Sequence, residues 1–215
     1  MISPQIKIGL IGFGSIGKQL YNTLLENNYS DSQIYIFADD FDLSEEKRRY
    51  RFNDFKLDKF RDIQFIPTLG YLSKNLKFEI LNYLIENNYT IFSFVHPTAY
   101  VSKNAKIGKG VIIYPLCNID QGVVIDNGSI VLNSSIIAHD TYVGKCTYIA
   151  LGVSLSGFIN IGDLCFIGTA ATLANNITVG KNSTIAMGTC LTKSIDEGSF
   201  VIGNPFQHKK NITLS

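Results

Sequence analysis

A chain of 215 residues, 46% of them hydrophobic, carries enough apolar surface for one large core or two small ones, which excludes disorder as its default state. Nineteen Lys and Arg against eighteen Asp and Glu leave a formal charge of +1, too balanced for a general nucleic-acid or membrane surface. No stretch approaches the roughly 20 apolar residues of a membrane-spanning helix, and the opening residues lack a charged segment followed by a long apolar one. The expectation is a soluble, cytoplasmic protein with no membrane insertion.

In chain order, Ile6 to Ile11 read as a buried strand, followed by the glycine-rich turn GFGSIG and a helical pattern through Leu20, Leu24 and Leu25. Gly12, Gly14 and Gly17 complete a GxGxxG pattern in its strand, loop, helix context. There, backbone N–H groups around Ser15 and a helix N-terminus can meet a diphosphate. A second strand, Gln33 to Ala38, ends at Asp39 and Asp40, carboxylates suited to a ribose hydroxyl. The segment Asp42 to Asp62 mixes both signs of charge and reads as a solvated loop or helix face, with Lys47, Arg48 or Arg49 on a phosphate as the sharper alternative.

An apolar run, Ile63 to Pro67, a helix around Phe78 to Glu86 and a run from Tyr89 to Val95 complete a Rossmann-like β-α-β-β-α-β domain over residues 1–94. The glycine motif alone points to a nicotinamide-dependent dehydrogenase. Yet this domain is shorter than the two βαβαβ halves that hold a dinucleotide across their crevice, so a mononucleotide diphosphate fits it better.

From residue 95 the pattern changes. Every sixth residue from Val95 to Leu191 is Val, Ile or Leu, and four places after each stands a second, mostly small residue such as Ala105, Cys117, Ser135, Thr147 or Ala171. Neither a 3.6-residue helix nor an alternating strand produces this period. Three hexapeptides making one triangular coil do, with the aliphatic residue inside and the small one where the corner tightens. Gly108, Asp120, Asp126, Gly144, Gly162, Gly168 and Gly180, each directly after an aliphatic position, read as the turns. Residues 95–215 are thus a parallel β-helix with a C-terminal tail. Cys117, Cys146, Cys165 and Cys190 form no CxxC pair and read as structural thiols within it.

Three histidines exist, His96, His139 and His208, and His139 alone lies deep within the repeats, two places after the inward Ile137 and outside both interior columns. Asp140 follows it and can orient the imidazole, the base-plus-orienter arrangement of general base catalysis. One coil is eighteen residues, so Gly157 stacks on His139 at about the 4.8 Å spacing of neighbouring strands. Its N–H can serve as an oxyanion donor for a thioester carbonyl. Leu151, Thr169 and Met187 share another column, along which an extended pantetheine arm can run. No set of three His ligands for a zinc ion is present in the repeats, so no metal is expected.

The hexapeptide pattern resembles that of the hexapeptide-repeat transferases, a resemblance that supplies a left hand for the β-helix. The glycine-rich α/β domain, the HPTA junction from His96, the His-Asp pair and the closing Gly203-Asn204-Pro205 resemble, more narrowly, the sugar acetyltransferases of the UDP-bacillosamine and sialic-acid-modifying group.

That resemblance implies an acetyl-coenzyme A dependent N-acetyltransferase of a nucleotide-linked amino sugar, working in bacterial surface glycan (lipopolysaccharide) biosynthesis. It implies His139 as base, Asp140 as its partner and Gly157 at the oxyanion. It also implies a homotrimer with the coenzyme, an acyl-donating cosubstrate, held between neighbouring β-helices. Where relatives often carry a second histidine toward the thioester, this chain has Tyr148, which can still donate one hydrogen bond. Phe206 and Gln207 replace the usual Ala-Lys of the tail, and Lys209 and Lys210 can stand in at a coenzyme phosphate. O-acetylation of a sugar hydroxyl needs the same base and stays open as the alternative.

Overall fold

The structure, a computed structural model, describes residues 6–39 and 48–208. The chain divides into two compact units, Met1–Phe92 and Ser93–Ser215. Among the described residues no helix is long and apolar enough to cross a membrane.

The first unit is a four-stranded parallel sheet. Strand β1 (Ile8–Ile11) leads through the glycine turn into helix α1 (Ser15–Glu26) and back to β2 (Ile34–Phe37). A two-residue strand, β3 (Arg49–Tyr50), pairs with β2, and β4 (Gln64–Pro67) pairs with β1, giving the order β3-β2-β1-β4. Helix α2 (Lys74–Glu86) follows β4. β1 is buried along its whole length, as befits a central parallel strand covered on both faces. Within the mixed-charge segment, Phe52–Lys56 and Asp58–Phe60 form short 3₁₀ turns whose exposed charges flank two buried rings, Phe55 and Phe60.

The run from Tyr89 to Val95 is not one strand. Ile91 makes a single bridge to Phe65, while Phe94–Val95 already pairs with Ile112–Ile113 as the first rung of the second unit. The run passes from a backbone partner in the first unit to one in the second, a change that hydrophobicity cannot signal.

The second unit is a parallel β-solenoid of hexapeptide-repeat type. Two-residue strands stack into three faces, each strand pairing with the one eighteen residues on: Ile130↔Tyr148↔Phe166 on the first face, Ile136↔Ser154↔Thr172 on the second and Val124↔Tyr142↔Asn160 on the third. The sixth-residue aliphatics form one continuous interior, and from Ile113 to Leu191 each is at most 1% exposed.

The small column does more than fit a tight corner. Ser129, Ser135, Thr141 and Thr147 each donate a hydroxyl hydrogen bond to a carbonyl fifteen residues on, at 2.7–3.1 Å, and accept from an N–H eighteen residues on. The Cys117 thiol donates in the same way to Leu132 O at 3.1 Å, and Cys165 to Gly180 O at 3.3 Å. Burying a polar atom is tolerated here because both of its hydrogen-bonding roles are filled.

The corners turn at a different residue from the expected one. Each sixth residue from Gly110 to Gly188 has a left-handed backbone, including bulky ones such as Leu116 (φ 61°), Phe158 (φ 58°) and Leu164 (φ 58°). That is the third place after the aliphatic residue, not the first. The glycines at the first place are required for close approach instead. A Cβ on Gly180 would lie 2.3 Å from Glu197 N, and one on Gly144 2.5 Å from Gly162 C.

Candidate active site

His139 and Asp140 stand at the corner between the second and third faces. Asp140 occupies the left-handed corner position (φ 56°), which Asp tolerates better than most residues, and its N–H donates to Gln121 O at 3.0 Å. This backbone turns the carboxylate back onto the preceding side chain, and His139 Nδ1 lies 3.1 Å from Asp140 Oδ2. A carboxylate only accepts, so Nδ1 carries the proton and the Nε2 lone pair is left for a base. Beneath the pair, Gly122 makes room for the carboxylate; a Cβ there would lie within 2.4 Å of Asp140 Oδ1.

The eighteen-residue stacking places Gly157 against the imidazole: a Cβ on Gly157 would lie 2.7 Å from His139 Cε1 and 2.8 Å from Nε2. The ring is half exposed and is flanked by Phe158, whose ring meets it edge-on at a centroid distance of 5.0 Å. Gly157→Ala is therefore expected to keep the coil, with stability changed by no more than about 0.5 kcal/mol, because a half-exposed ring can swing aside. Activity should fall about 10²-fold, the cost of misplacing a catalytic group by about 1 Å. Thermal melts beside turnover assays check both halves.

The Gly157 N–H is not open as the sequence suggests. It donates to Asn175 Oδ1 at 2.8 Å, the next residue up the same column. The sequence reading missed Asn175, because an Asn-Asn pair at a coil corner carries the ordinary signature of a turn. On the neighbouring third face, Tyr142 donates to Asp126 at 3.0 Å, and burial, helped by that carboxylate, pushes its hydroxyl up to about 12.

The remaining predicted residues of this unit lie elsewhere on the prism. Tyr148 projects from the first face, opposite the His139 corner, and stacks on Phe166 at 5.7 Å. Leu151, Thr169 and Met187 line the corner between the first and second faces, all exposed. Their backbone is already committed, since Leu151 O accepts from Ala170 N–H at 2.9 Å and Thr169 O from Gly188 N–H at 2.8 Å. A pantetheine arm there meets side chains rather than a free strand edge. The same corner holds two features absent from the sequence reading, the buried Tyr114 Oη and Asn133 Oδ1, neither with a hydrogen-bond partner among the described residues. A single chain does not bring the two groups of residues together.

His96, the other histidine near the repeats, has a structural job. Its Nδ1 accepts from Thr98 N–H at 3.2 Å and lies 2.8 Å from Thr98 Oγ1, forming the turn that opens the solenoid. Among the described residues no group of three or more His, Cys, Asp or Glu could hold a metal ion.

In the first unit the three glycines have three separate reasons. Gly12 adopts φ +94°, Gly17 has no space for a Cβ (2.5 Å from Gly12 O), and Gly14 faces open space. Thr68, buried at the end of β4, fixes the loop by donating to Gly12 O at 2.5 Å. No side chain caps the first turn of α1 and no acidic residue lies in it, so the turn around Ser15 keeps its positive character. Short β3 brings the Arg49 guanidinium over the Phe13 ring of this loop, 5.3 Å from its centroid. Asp39 uses Oδ1 to accept from Phe52 N–H at 2.9 Å. Asp40, Lys47, Lys209 and Lys210 lie outside the described residues.

The model of the family described as GMPPB C-terminal domain matches residues 90–201, just over half of the chain and nearly all of the solenoid. The chain belongs to that family.

No curated protein matches this member of the GMPPB C-terminal domain family. Solved structures do. The acetyltransferase domain of PglB from Neisseria gonorrhoeae is 25% identical, with 94% of this chain and 99% of that one covered and a TM-score of 0.83. That domain has also been solved with acetyl coenzyme A. PerB from Caulobacter crescentus, solved with CoA and GDP-perosamine, is 17% identical over 95% of this chain and 97% of that one, with a TM-score of 0.85. WeeI from Acinetobacter baumannii is 18% identical over 95% of this chain and 100% of that one, with a TM-score of 0.66. The last two show shared fold. The two-unit architecture is thus that of hexapeptide-repeat acyltransferases, a broader group than the bacillosamine and sialic-acid enzymes whose motifs the sequence resembles.

Proposed function

We propose that this chain transfers an acetyl group from acetyl-coenzyme A to the amino group of a nucleotide-linked amino sugar. The observation that carries the reading is the His139–Asp140 pair at 3.1 Å with the imidazole seated on Gly157. The sugar's nitrogen attacks the thioester carbonyl while His139 Nε2 takes its proton; the C–S bond then breaks and the thiolate leaves, taking that proton back. Asp140 holds the tautomer and stabilises the imidazolium. The fold of PglB's acetyltransferase domain and of PerB, whose complexes contain coenzyme A and, for PerB, GDP-perosamine, supports the same two substrate classes here.

In this reading residues 1–94 are the nucleotide-sugar-binding domain and residues 95–215 the acyltransferase domain. Gly12, Gly14, Ser15 and Gly17 hold the diphosphate, with Asp39 and Asp40 toward the ribose. The dehydrogenase alternative has little support, because the described sheet has four strands and lacks the second half that a dinucleotide spans.

Thr169, Met187 and Tyr148 serve the coenzyme from a second copy, since on one chain they stand away from His139. The proposed assembly is a homotrimer with sites between subunits, and this split supports a site shared by two copies. The setting is the cytoplasm, where the chain would modify a precursor of bacterial surface glycan.

Incubating the protein with acetyl-coenzyme A and nucleotide-linked 4-amino sugars, beside hydroxyl-only counterparts, tests the reading by release of free thiol. Release with the amino sugars is expected. Release only with hydroxyl acceptors would make the chain an O-acetyltransferase, and release with neither would reject acyl transfer to these sugars.

A further inference from the structure

We infer that Phe158 is a positioning residue for the acyl-transfer step, its ring holding the His139 imidazole so that Nε2 stays beside Gly157. The inference rests on the reading above and adds to it a side chain that acts through the base.

Among the described residues the imidazole has one hydrogen bond, from Nδ1 to Asp140 Oδ2 at 3.1 Å. A single bond fixes the tautomer but leaves the ring free to turn about it. Gly157, one coil on, has no side chain to resist that turn, and the imidazole is half exposed. Phe158 supplies a wall. Its ring meets the imidazole at a centroid distance of 5.0 Å and an interplanar angle of 87°, the near-perpendicular arrangement that aromatic pairs favour. Its N–H donates to His139 O at 3.1 Å, so wall and base are also tied through the backbone.

The coil itself does not call for phenylalanine here. Gly122, Asp140, Phe158 and Asn176 are successive members of one corner column, all with a left-handed backbone (φ 56–68°). Gly, Asp and Asn accept this conformation readily, whereas a bulky side chain is strained in it. Leu164 adopts it elsewhere while 8% exposed, so burial offsets the strain. Phe158 is 54% exposed and has no such compensation. Leu116 is likewise exposed, and it stands at the corner proposed for the coenzyme. Backbone strain of this kind clusters at functional sites, and what it secures at residue 158 is contact with the imidazole.

As the amine nitrogen bonds to the thioester carbon, its proton passes to Nε2 and from there to the departing thiolate. An imidazole that rocks about its Asp140 bond spends part of its time with Nε2 aimed elsewhere. Removing the wall therefore slows the chemical step and leaves the binding of both substrates as it was.

Phe158→Asn separates this role from a structural one, because Asn suits the left-handed corner, as Asn176 does one coil on. The variant should melt no lower than the parent chain. Its kcat should fall about 10²-fold, the cost of a catalytic group misplaced by about 1 Å, with the KM for each substrate unchanged. In a His139→Ala background the same change should leave the residual rate unaltered, since a side chain acting through the base has nothing left to act on. A nuclear Overhauser cross-peak between His139 Hε1 and Gly157 Hα, strong in the parent, should weaken in Phe158→Asn whether or not turnover is followed. A kcat within about threefold of the parent overturns the inference, as does a rise in KM alone. An equal loss of rate in the His139→Ala background, or an unchanged cross-peak, overturns it too. A fully active His139→Ala control would instead sink the reading beneath it, so the two failures are distinguishable.

Discussion

Replacing His139 by alanine is expected to lower acyl transfer about 10²- to 10⁴-fold, the range for loss of a general base, while the solenoid stays folded. The imidazole sits outside the interior, with 42% of its side chain exposed, and its side-chain contacts include the Asp140 carboxylate and the edge of Phe158. The bond that ties this corner to the next coil, from Phe158 N–H to His139 O at 3.1 Å, belongs to the backbone and survives the change. Steady-state kinetics on a variant shown to be folded by circular dichroism checks the expectation. Turnover unchanged from the parent would remove His139 from the chemistry.

Ile161→Asp should have the largest effect on stability. Ile161 is fully buried in the prism between Val143 and Val179, its strand neighbours one coil away on either side. A carboxylate there has no counter-charge within the apolar column, and the solenoid depends on each coil covering the next. The loss should exceed about 4 kcal/mol, enough to remove cooperative melting from the second unit. Asn160→Asp, one residue earlier on the exposed side of the same strand, should shift stability by no more than about 0.5 kcal/mol. Parallel thermal melts of the two variants compare the inside and outside of one strand, and equal melting would contradict the assigned alternation.

These variants lean on what was legible in the chain: the six-residue period that fixes which side of each strand faces inward. The period is readable because each interior position stacks on its own kind one coil above and below, so the demand for Val, Ile or Leu repeats without interruption. The corner conformation is not readable, since Leu116, Phe158 and Leu164 have no local preference for a left-handed backbone and adopt it under the constraint of stacking. β3 was missed for a related reason. Two residues, Arg49 and Tyr50, form a strand only through pairing with β2, and they carry the cation that stands over the glycine loop.

The candidate site divides in the same way. Adding eighteen to 139 reached Gly157, since vertical neighbours follow from the coil length alone. The hydrogen bond from Gly157 to Asn175 required side-chain geometry, whereas the separation of Tyr148, Thr169 and Met187 from the His139 corner follows from their places in the coil. In those cases a residue's place along the chain shows its face of the prism, while what occupies its polar groups depends on the coil above.

The stacking of His139 on Gly157 is tested most directly by nuclear Overhauser spectroscopy on chain labelled at histidine and glycine. With Cε1 of His139 2.7 Å from where a Cβ of Gly157 would stand, a strong cross-peak between His139 Hε1 and Gly157 Hα is expected, and Gly157→Ala should abolish or shift it. A well-dispersed spectrum with no such cross-peak would contradict the shared corner on which the proposed chemistry depends.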